Sequence, residues 1–205
     1  MTTRADLRTI IRNQGLDETT WSDTEVNQWI ADAIAEYSNH FPRYRESTAN
    51  ACTAGTKEYT LPTDFLSALR VEYPEGEDPP EYLSRLSEED ARFGENYYDI
   101  RGTTLVLGED PSAGETYALH YYAHHDYPDA DEDVLTVPDE DLEILVLHVL
   151  WKAYRRLELD EAKNPDGSTV VLSMLSSSTM RVRREYDKAI RKRRRAEGVS
   201  TPPWG

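Results

Sequence analysis

Residues 137–159 read VPDEDLEILVLHVLWKAYRRLEL and form the most apolar stretch of a chain whose mean hydropathy is −0.73. Apolar residues recur in it at three- and four-residue spacing, which is typical of the buried face of an α-helix. This spacing is shared by Leu142, Leu145, Val146, Val149, Leu150 and Ala153. Because Ile144, Leu147 and Trp151 widen the apolar surface, the helix should be buried on more than one side. The run is too short to span a bilayer. We predict a central core helix.

Two helices are predicted before this one. Residues 3–13 can form a short helix with apolar residues on one side. Residues 22–41 begin with Ser22 and Glu25, which have the spacing of a capping box, and end before Pro42. The next apolar face of this kind lies near the other end of the chain, where a long helix is predicted over 168–195.

The residues between the second helix and residues 137–159 follow a different period. Short segments that alternate with a period of two, as in β-strands, lie at 67–73, 96–101, 103–107 and 116–123. Residues 48–54 and 57–61 flank Gly55 and could pair as a hairpin, and 87–93 could form one short helix. We therefore predict a sheet-rich insertion between two helical halves.

The fold class that follows is α+β. It comprises a helical bundle, an inserted antiparallel β-rich subdomain and a long C-terminal helix with an extended tail. The predicted helical domain consists of residues 1–47 and 124–197, the insertion of residues 48–123, and the tail of residues 198–205.

Charge is unevenly distributed along the chain, although the net value is −16. Residues 1–151 contain 10 Lys and Arg against 32 Asp and Glu, whereas residues 152–205 contain 13 against 7. The acidic body should repel nucleic acid, while the basic C-terminal part could meet an acidic partner.

Signatures of enzymes are missing from the sequence: there is no Gly-rich phosphate loop, HExxH, GxSxG or CxxC. His124, His125 and Asp126 lack further ligands at metal-binding spacing. His148 lies among apolar residues of the central helix and is interpreted as a satisfied core histidine rather than a general base. The lone Cys52 is interpreted as a small apolar residue, and a single cysteine excludes an internal disulfide.

An acidic loop precedes the central helix and superficially resembles a calcium-binding loop. The carboxylates at the ligand positions of such a loop are Asp129, Asp131 and Asp133, with Glu140 at the twelfth position. Val134 stands where the EF-hand turn needs glycine, so a solvated acidic loop is the better interpretation.

The C-terminal helix carries one row of cations and a separate basic run. The row recurs at three- and four-residue steps and consists of Arg181, Arg184, Lys188, Arg191 and Arg195. The run 191–195 could bind nucleic acid through its phosphates, but it is interpreted as a solvated helix face or as a contact to an acidic protein. Beyond the helix, Pro202 and Pro203 favour an extended conformation, and Trp204 is a common interface anchor.

Four segments, taken in order, resemble the head-to-tail adaptor (connector, or head completion) proteins of tailed bacteriophages. They are WSDTEVNQWIADAIAEYSNHFPR at 21–43, LPTDFLSALRVEY at 61–73, TYALHYYAHHDYP at 116–128, and VPDEDLEILVLHVLWKAYRRL at 137–157. The resemblance covers about 10–195, and its β-rich insertion is similar to that of podovirus tail-tube adaptors. The most compact adaptors are nearly all helix, and here the sequence departs from them.

The resemblance implies a structural virion protein at the head–tail interface, assembled in the host cytoplasm, with no enzymatic activity, cofactor, metal or membrane. It implies a ring, typically of twelve copies, beneath the portal protein. Such a ring extends the channel for DNA, which passes without sequence-specific binding, and offers a platform to a tail or nozzle protein. The portal-binding segment would comprise the following residues: Arg181, Arg184, Lys188, Arg191, Arg195, Pro202, Pro203 and Trp204.

Two other functions remain open at this point. One is a nucleic-acid-binding packaging or regulatory factor that acts through the basic C-terminal helix. The other is an uncharacterised hydrolase.

Overall fold

A computed structural model describes residues 1–86 and 96–196 of the chain. The short helix predicted at 87–93 and the tail at 198–205 lie outside these residues. The chain divides into two compact units. One, the helical unit, combines Met1–Phe41 with the chain from His125 onward; the other, the sheet unit, is Pro42–His124.

The helical unit contains the four predicted helices. They are α1 (Arg4–Arg12), α2 (Asp23–His40), α3 (Leu142–Lys163) and α4 (Thr169–Ala196). A 3₁₀ turn at Asp139–Asp141 leads directly into α3.

Helices α1 and α2 both begin at capping boxes. The predicted box at α2 is present, with the Ser22 side chain and the Glu25 side chain each bonding the other's backbone N–H. A second box, which the sequence analysis does not predict, is formed by Thr3 and Asp6 at the start of α1. Each box satisfies backbone donors that the first helical turn leaves without partners.

Helix α3 is the central element of the helical unit, as predicted. Its buried residues occupy several sides of the helix: Leu142, Ile144, Leu145, Val146, His148, Val149 and Ala153. All of them except His148 belong to one apolar core with residues of α1, α2 and α4, including Leu7, Ile30, Tyr37, Tyr186 and Ile190. Leu147 and Leu150 are only partly buried at the edge of this core.

The sheet unit contains seven strands within its described residues. They are β1 (Arg43–Ala51), β2 (Glu58–Thr60), β3 (Phe65–Glu72), β4 (Tyr82–Arg85), β5 (Tyr97–Arg101), β6 (Thr104–Leu107) and β7 (Thr116–Ala123). The strand order is β1-β7-β3-β4-β5-β6-β2. The α+β class is therefore confirmed. One pair, β4 with β5, is parallel in an otherwise antiparallel sheet.

The prediction of a hairpin around Gly55 is wrong. A tight turn does form there, with Gly55 at φ 71°, but β1 pairs with β7 and β2 pairs with β6. Strand β1 has 9 residues and β2 only 3, so β7 offers β1 many more backbone hydrogen bonds than β2 could. Strand β1 also starts at Arg43, before the predicted start of the insertion at residue 48.

Strand β7 is buried on both of its faces. Leu119 and Tyr121 point into the apolar core of the sheet unit, together with Val71 and Leu107. On the opposite face His120 is 4% exposed. The hydroxyl of Tyr44 lies 2.7 Å from its Nδ1.

Candidate interaction surface on the C-terminal helix

Helix α4 packs along one side only. Its buried residues recur at three- and four-residue steps in the second half of the helix: Thr179, Val182, Tyr186 and Ile190. Because these positions share one face, the opposite face of α4 is left to solvent.

The predicted row of cations lies on that opposite face. All five side chains are exposed: Arg181, Arg184, Lys188, Arg191 and Arg195. Within the described residues none of the five forms an ion pair or a hydrogen bond. The helix therefore presents a stripe of unneutralised positive charge, which we call the cationic face.

Three other arginines of α4 form contacts inside the helical unit: Arg183, and the run members Arg193 and Arg194. The guanidinium of Arg183 lies 4.8 Å from the ring centroid of Trp151 and 3.3 Å from Asp187. Arg193 contacts the 3₁₀ turn before α3, and Arg194 contacts α2. The basic run 191–195 is thus divided between internal anchors and the cationic face.

One of these anchors, Arg193, joins three elements at a buried carboxylate. Asp141 is 3% exposed, and its Oδ2 accepts a 2.6 Å hydrogen bond from the Tyr37 hydroxyl and a 2.8 Å bond from Arg193 Nε. Burial raises the pKa of the Tyr37 phenol, and the bond to Asp141 raises it further. We call this group, Tyr37, Asp141 and Arg193, the anchor cluster.

Arg194 makes a different contact, with a histidine. Its Nη2 lies 2.6 Å from Nδ1 of His40. Burial and the positive charge of Arg194 lower the pKa of His40. A neutral ring can accept this hydrogen bond, whereas a protonated ring would repel the guanidinium.

His148 is buried as predicted, but it is not satisfied. Neither ring nitrogen has a hydrogen-bond partner in the described part of the chain. The ring packs edge-on against Trp151 and Tyr186. Burial lowers the pKa of His148 to about 4, with a further contribution from the charge of Lys152.

Among the candidate metal ligands, His125 has structural partners. The His125 ring lies 3.0 Å from the carbonyl oxygen of Phe41 and 3.2 Å from the hydroxyl of Thr136. Cys52 is buried in the core of the sheet unit. No group of three or more potential metal ligands exists among the described residues.

The acidic loop before α3 is tied to α1 rather than simply solvated, which corrects our interpretation. Asp131 accepts hydrogen bonds from Arg8, at 2.6 and 2.9 Å, and from Arg4, at 2.9 Å. These bonds lower the pKa of Asp131 to about 2. The backbone N–H of Arg4 also donates to the carbonyl of Asp133.

Comparison with protein families decides what kind of protein this is. The family model described as SU10 adaptor protein matches residues 2–203. The chain belongs to this family. A comparison with curated proteins found no match.

Members of this family are phage head–tail adaptors, so this adaptor is a structural component of the virion. Membership of a structural family implies a protein without enzymatic activity. It also implies partners among other phage head and tail proteins. None of the described helices is both long and apolar enough to cross a bilayer.

Proposed function

We propose that this adaptor forms a ring of twelve copies beneath the portal protein, in the neck of the virion. The ring extends the channel for DNA and provides the platform to which a tail or nozzle protein attaches. In this proposal the helical unit faces the portal, and assembly takes place in the host cytoplasm. The sheet unit corresponds to the β-rich insertion of podovirus-type adaptors.

The cationic face of α4 is the observation that carries the proposal. Its five cations have no internal partner among the described residues, although the rest of the chain offers a large excess of carboxylates. Cations that the fold requires, such as Arg183 and Arg193, are paired within the helical unit. A row of cations without internal partners on one helix face is suited to binding an acidic surface of another protein. Complementary charges on that protein speed up association and fix the register of the two surfaces.

The residues after α4 would extend the same contact. Pro202 and Pro203 restrict the backbone, which lowers the entropy lost on binding, and Trp204 supplies a large apolar anchor. They lie outside the described residues, so their part in portal binding rests on the sequence. We assign them to the portal contact together with the cationic face.

The acidic body fits the passage of DNA. Residues 1–151 carry 32 carboxylates against 10 cations, and like charge disfavours adhesion of the phosphate backbone to a channel wall. The DNA would pass without sequence-specific contacts.

Charge reversal tests the portal contact. We expect the double variant Arg191→Glu/Arg195→Glu to remain folded but to lose co-sedimentation with purified portal rings. Deletion of residues 198–205 should weaken the same association. A matched control is Arg85→Glu/Lys163→Glu, which reverses two exposed cations elsewhere and leaves co-sedimentation unchanged. Binding of the unaltered chain should weaken as salt rises.

Retention of portal binding by both the double variant and the truncated chain, with unchanged salt dependence, would overturn this assignment. The portal contact would then have to lie on another face of the helical unit.

Nucleic-acid binding is the second candidate function, and the same cationic face favours it. Five cations on phosphates would give a slope of roughly −4.5 for log affinity against log salt on duplex DNA. Measurement of DNA binding by fluorescence anisotropy across salt concentrations separates the two functions. Weak binding that does not change in Arg191→Glu/Arg195→Glu would exclude this alternative.

A further inference from the structure

The end of the α3–α4 pair at which the loop joins the two helices is poorly buried. No residue from Tyr154 to Ser178 is buried, whereas both helices are well packed outside this range. Large apolar side chains here are open to solvent, with Val170 and Met174 each 66% exposed. Two helices that pack only on each other bury little apolar surface, so this region is suited to a partner.

A groove runs between α3 and α4 along one side of this region. Small and apolar side chains make up most of its lining: Leu159, Ala162, Leu172, Ser173 and Ser176, with Arg155 and Glu158 from α3. A second depression continues it toward Trp151 and Met180 and shares Arg155. We call the two together the α3–α4 groove.

Positive charge borders the α3–α4 groove. Arg155 and Arg184 are exposed and make no ion pair within the described residues, and they outnumber the one carboxylate of the lining, Glu158. Because Arg184 also belongs to the cationic face, Arg155 is the cation that is specific to the groove. Arg183, by contrast, is held by Trp151 and Asp187. A ligand for this groove should therefore be apolar at its centre and acidic around it.

Such a surface occurs on the chain itself, in the loop before α3. Tyr127 and Val134 are 40% and 47% exposed. The side chains of Asp129 and Glu132 are exposed beside them in sequence and have no partner among the described residues. The segment 126–151 contains no Lys or Arg. We call these four residues the acidic knob.

We propose that the α3–α4 groove of one copy binds the acidic knob of a second copy. The proposal rests on the ring assembly proposed above and names the surfaces that would build it. The two surfaces are different parts of one chain, so the contact is head-to-tail, and a head-to-tail contact generates a ring when its rotation closes. It also places the unpaired Arg155 against unpaired carboxylates, which a contact between two identical surfaces would not do.

Charge exchange between copies provides the test. Arg155→Glu makes the border of the groove more acidic, and Glu132→Arg makes the knob more basic. Each variant alone should lower the association constant by at least about tenfold at low salt, because like charges then face each other. An equimolar mixture of the two variants should regain association, since each altered surface finds its opposite on the other chain. Sedimentation velocity across a range of protein concentrations measures this.

Disulfide trapping checks the geometry independently. In the double variant Val134→Cys/Ser176→Cys, oxidation should give a ladder of covalent oligomers. Each single-cysteine variant should give none, because a head-to-tail contact brings the two different positions together. The unaltered chain is the control for Cys52, which is buried and should remain uncross-linked.

The proposal is overturned if the unaltered chain shows no self-association at low salt, if the mixture associates no better than either variant, or if no ladder forms. Portal co-sedimentation keeps this result separate from the portal contact. Arg191 and Arg195 lie outside the groove, so their reversal should leave the ladder intact. If the Val134→Cys/Ser176→Cys variant forms no ladder but still co-sediments with portal rings, the groove contact is refuted and the proposed portal contact is not.

Discussion

At the scale of single residues, the charged side chains of α4 serve two purposes that composition does not reveal. Arg193 lies three residues after Ile190 and seven after Tyr186, so it falls on the buried side of the helix. That spacing was readable in the sequence. The position of its partner was not, because Asp141 is one of several carboxylates in a row and only the fold shows which of them is buried.

Removal of Arg193 should be costly. Arg193→Ala leaves the carboxylate of Asp141 buried with only Tyr37 as a partner, and the loss should be about 2–4 kcal/mol of unfolding free energy, since Arg193 itself is partly exposed. Arg191→Ala is the matched control on the exposed side of the same helix and should change stability by less than about 0.5 kcal/mol. Urea denaturation measures both. If Arg193→Ala lowers the unfolding free energy no more than the small change seen with Arg191→Ala, the bond of Arg193 to Asp141 contributes no net stability.

His148 predicts a pH dependence of stability. Its pKa is lowered to about 4 in the folded chain, so folding favours the neutral ring. The stabilisation from this group is therefore complete above its unfolded pKa of about 6.5 and falls as the pH drops toward 4. Over that interval we expect a loss of up to about 3 kcal/mol that His148→Leu does not show. Urea denaturation at pH 7.5, 5.5 and 4.5 measures the unfolding free energy of the unaltered chain and of His148→Leu. The same dependence of this free energy on pH in both proteins would contradict the prediction.

At the scale of elements, the sequence predicted which segments form helices and strands better than it predicted which strands pair. The four helices follow from apolar spacing and from end signals such as Ser22 with Glu25, which act within a few residues. Strand β7 was predicted with its observed bounds for the same reason. The pairing of β1 with β7 depends on which distant strand offers the longer ladder, and no local pattern encodes that. The same limit applies to the cationic face. Its residues were predicted, but only the fold shows that none of them pairs with a carboxylate in the described part of the chain.

The central position of α3 predicts unequal effects from two leucines of one helix. Leu145 is 0% exposed, whereas Leu150 is only partly buried. Leu145→Ala should cost about 2–5 kcal/mol, and Leu150→Ala should cost clearly less, because the lost transfer energy and the cavity are smaller. Thermal melts of the two variants make the comparison. Small and equal shifts would mean that α3 is peripheral to the core.

At the scale of the whole molecule, the chain consists of an interrupted helical unit and an inserted sheet unit, each with its own apolar core. The chain passes between them at residues 41–42 and 124–125. We propose on this basis that the two are folding domains, with the insertion corresponding closely to the β-rich segment expected from the sequence.

This organisation predicts that residues 42–124 fold alone. All buried residues of their core come from within the segment, so excision removes none of it. The isolated segment should show β-type circular dichroism and a cooperative thermal transition. Val71→Asp, which places a carboxylate at a 0% exposed position, should abolish that transition. A non-cooperative melt of the unaltered segment would show that it depends on the helical unit.

The anchor cluster also gives the C-terminal end a defined mechanical connection. Arg193 is the last side chain of the described part of α4 that is bonded to a buried group, three residues before Ala196. A tensile load applied beyond Ala196 would reach the contact of Arg194 with His40 on α2 first, and then the bond of Arg193 to Asp141, from which the Tyr37 hydroxyl also leads to α2. Hydrogen bonds weaken steeply once they lengthen or bend, whereas apolar contacts such as those of Tyr186 give way gradually. The attachment of α4 through the anchor cluster should thus resist small forces with little extension and break abruptly above a threshold force.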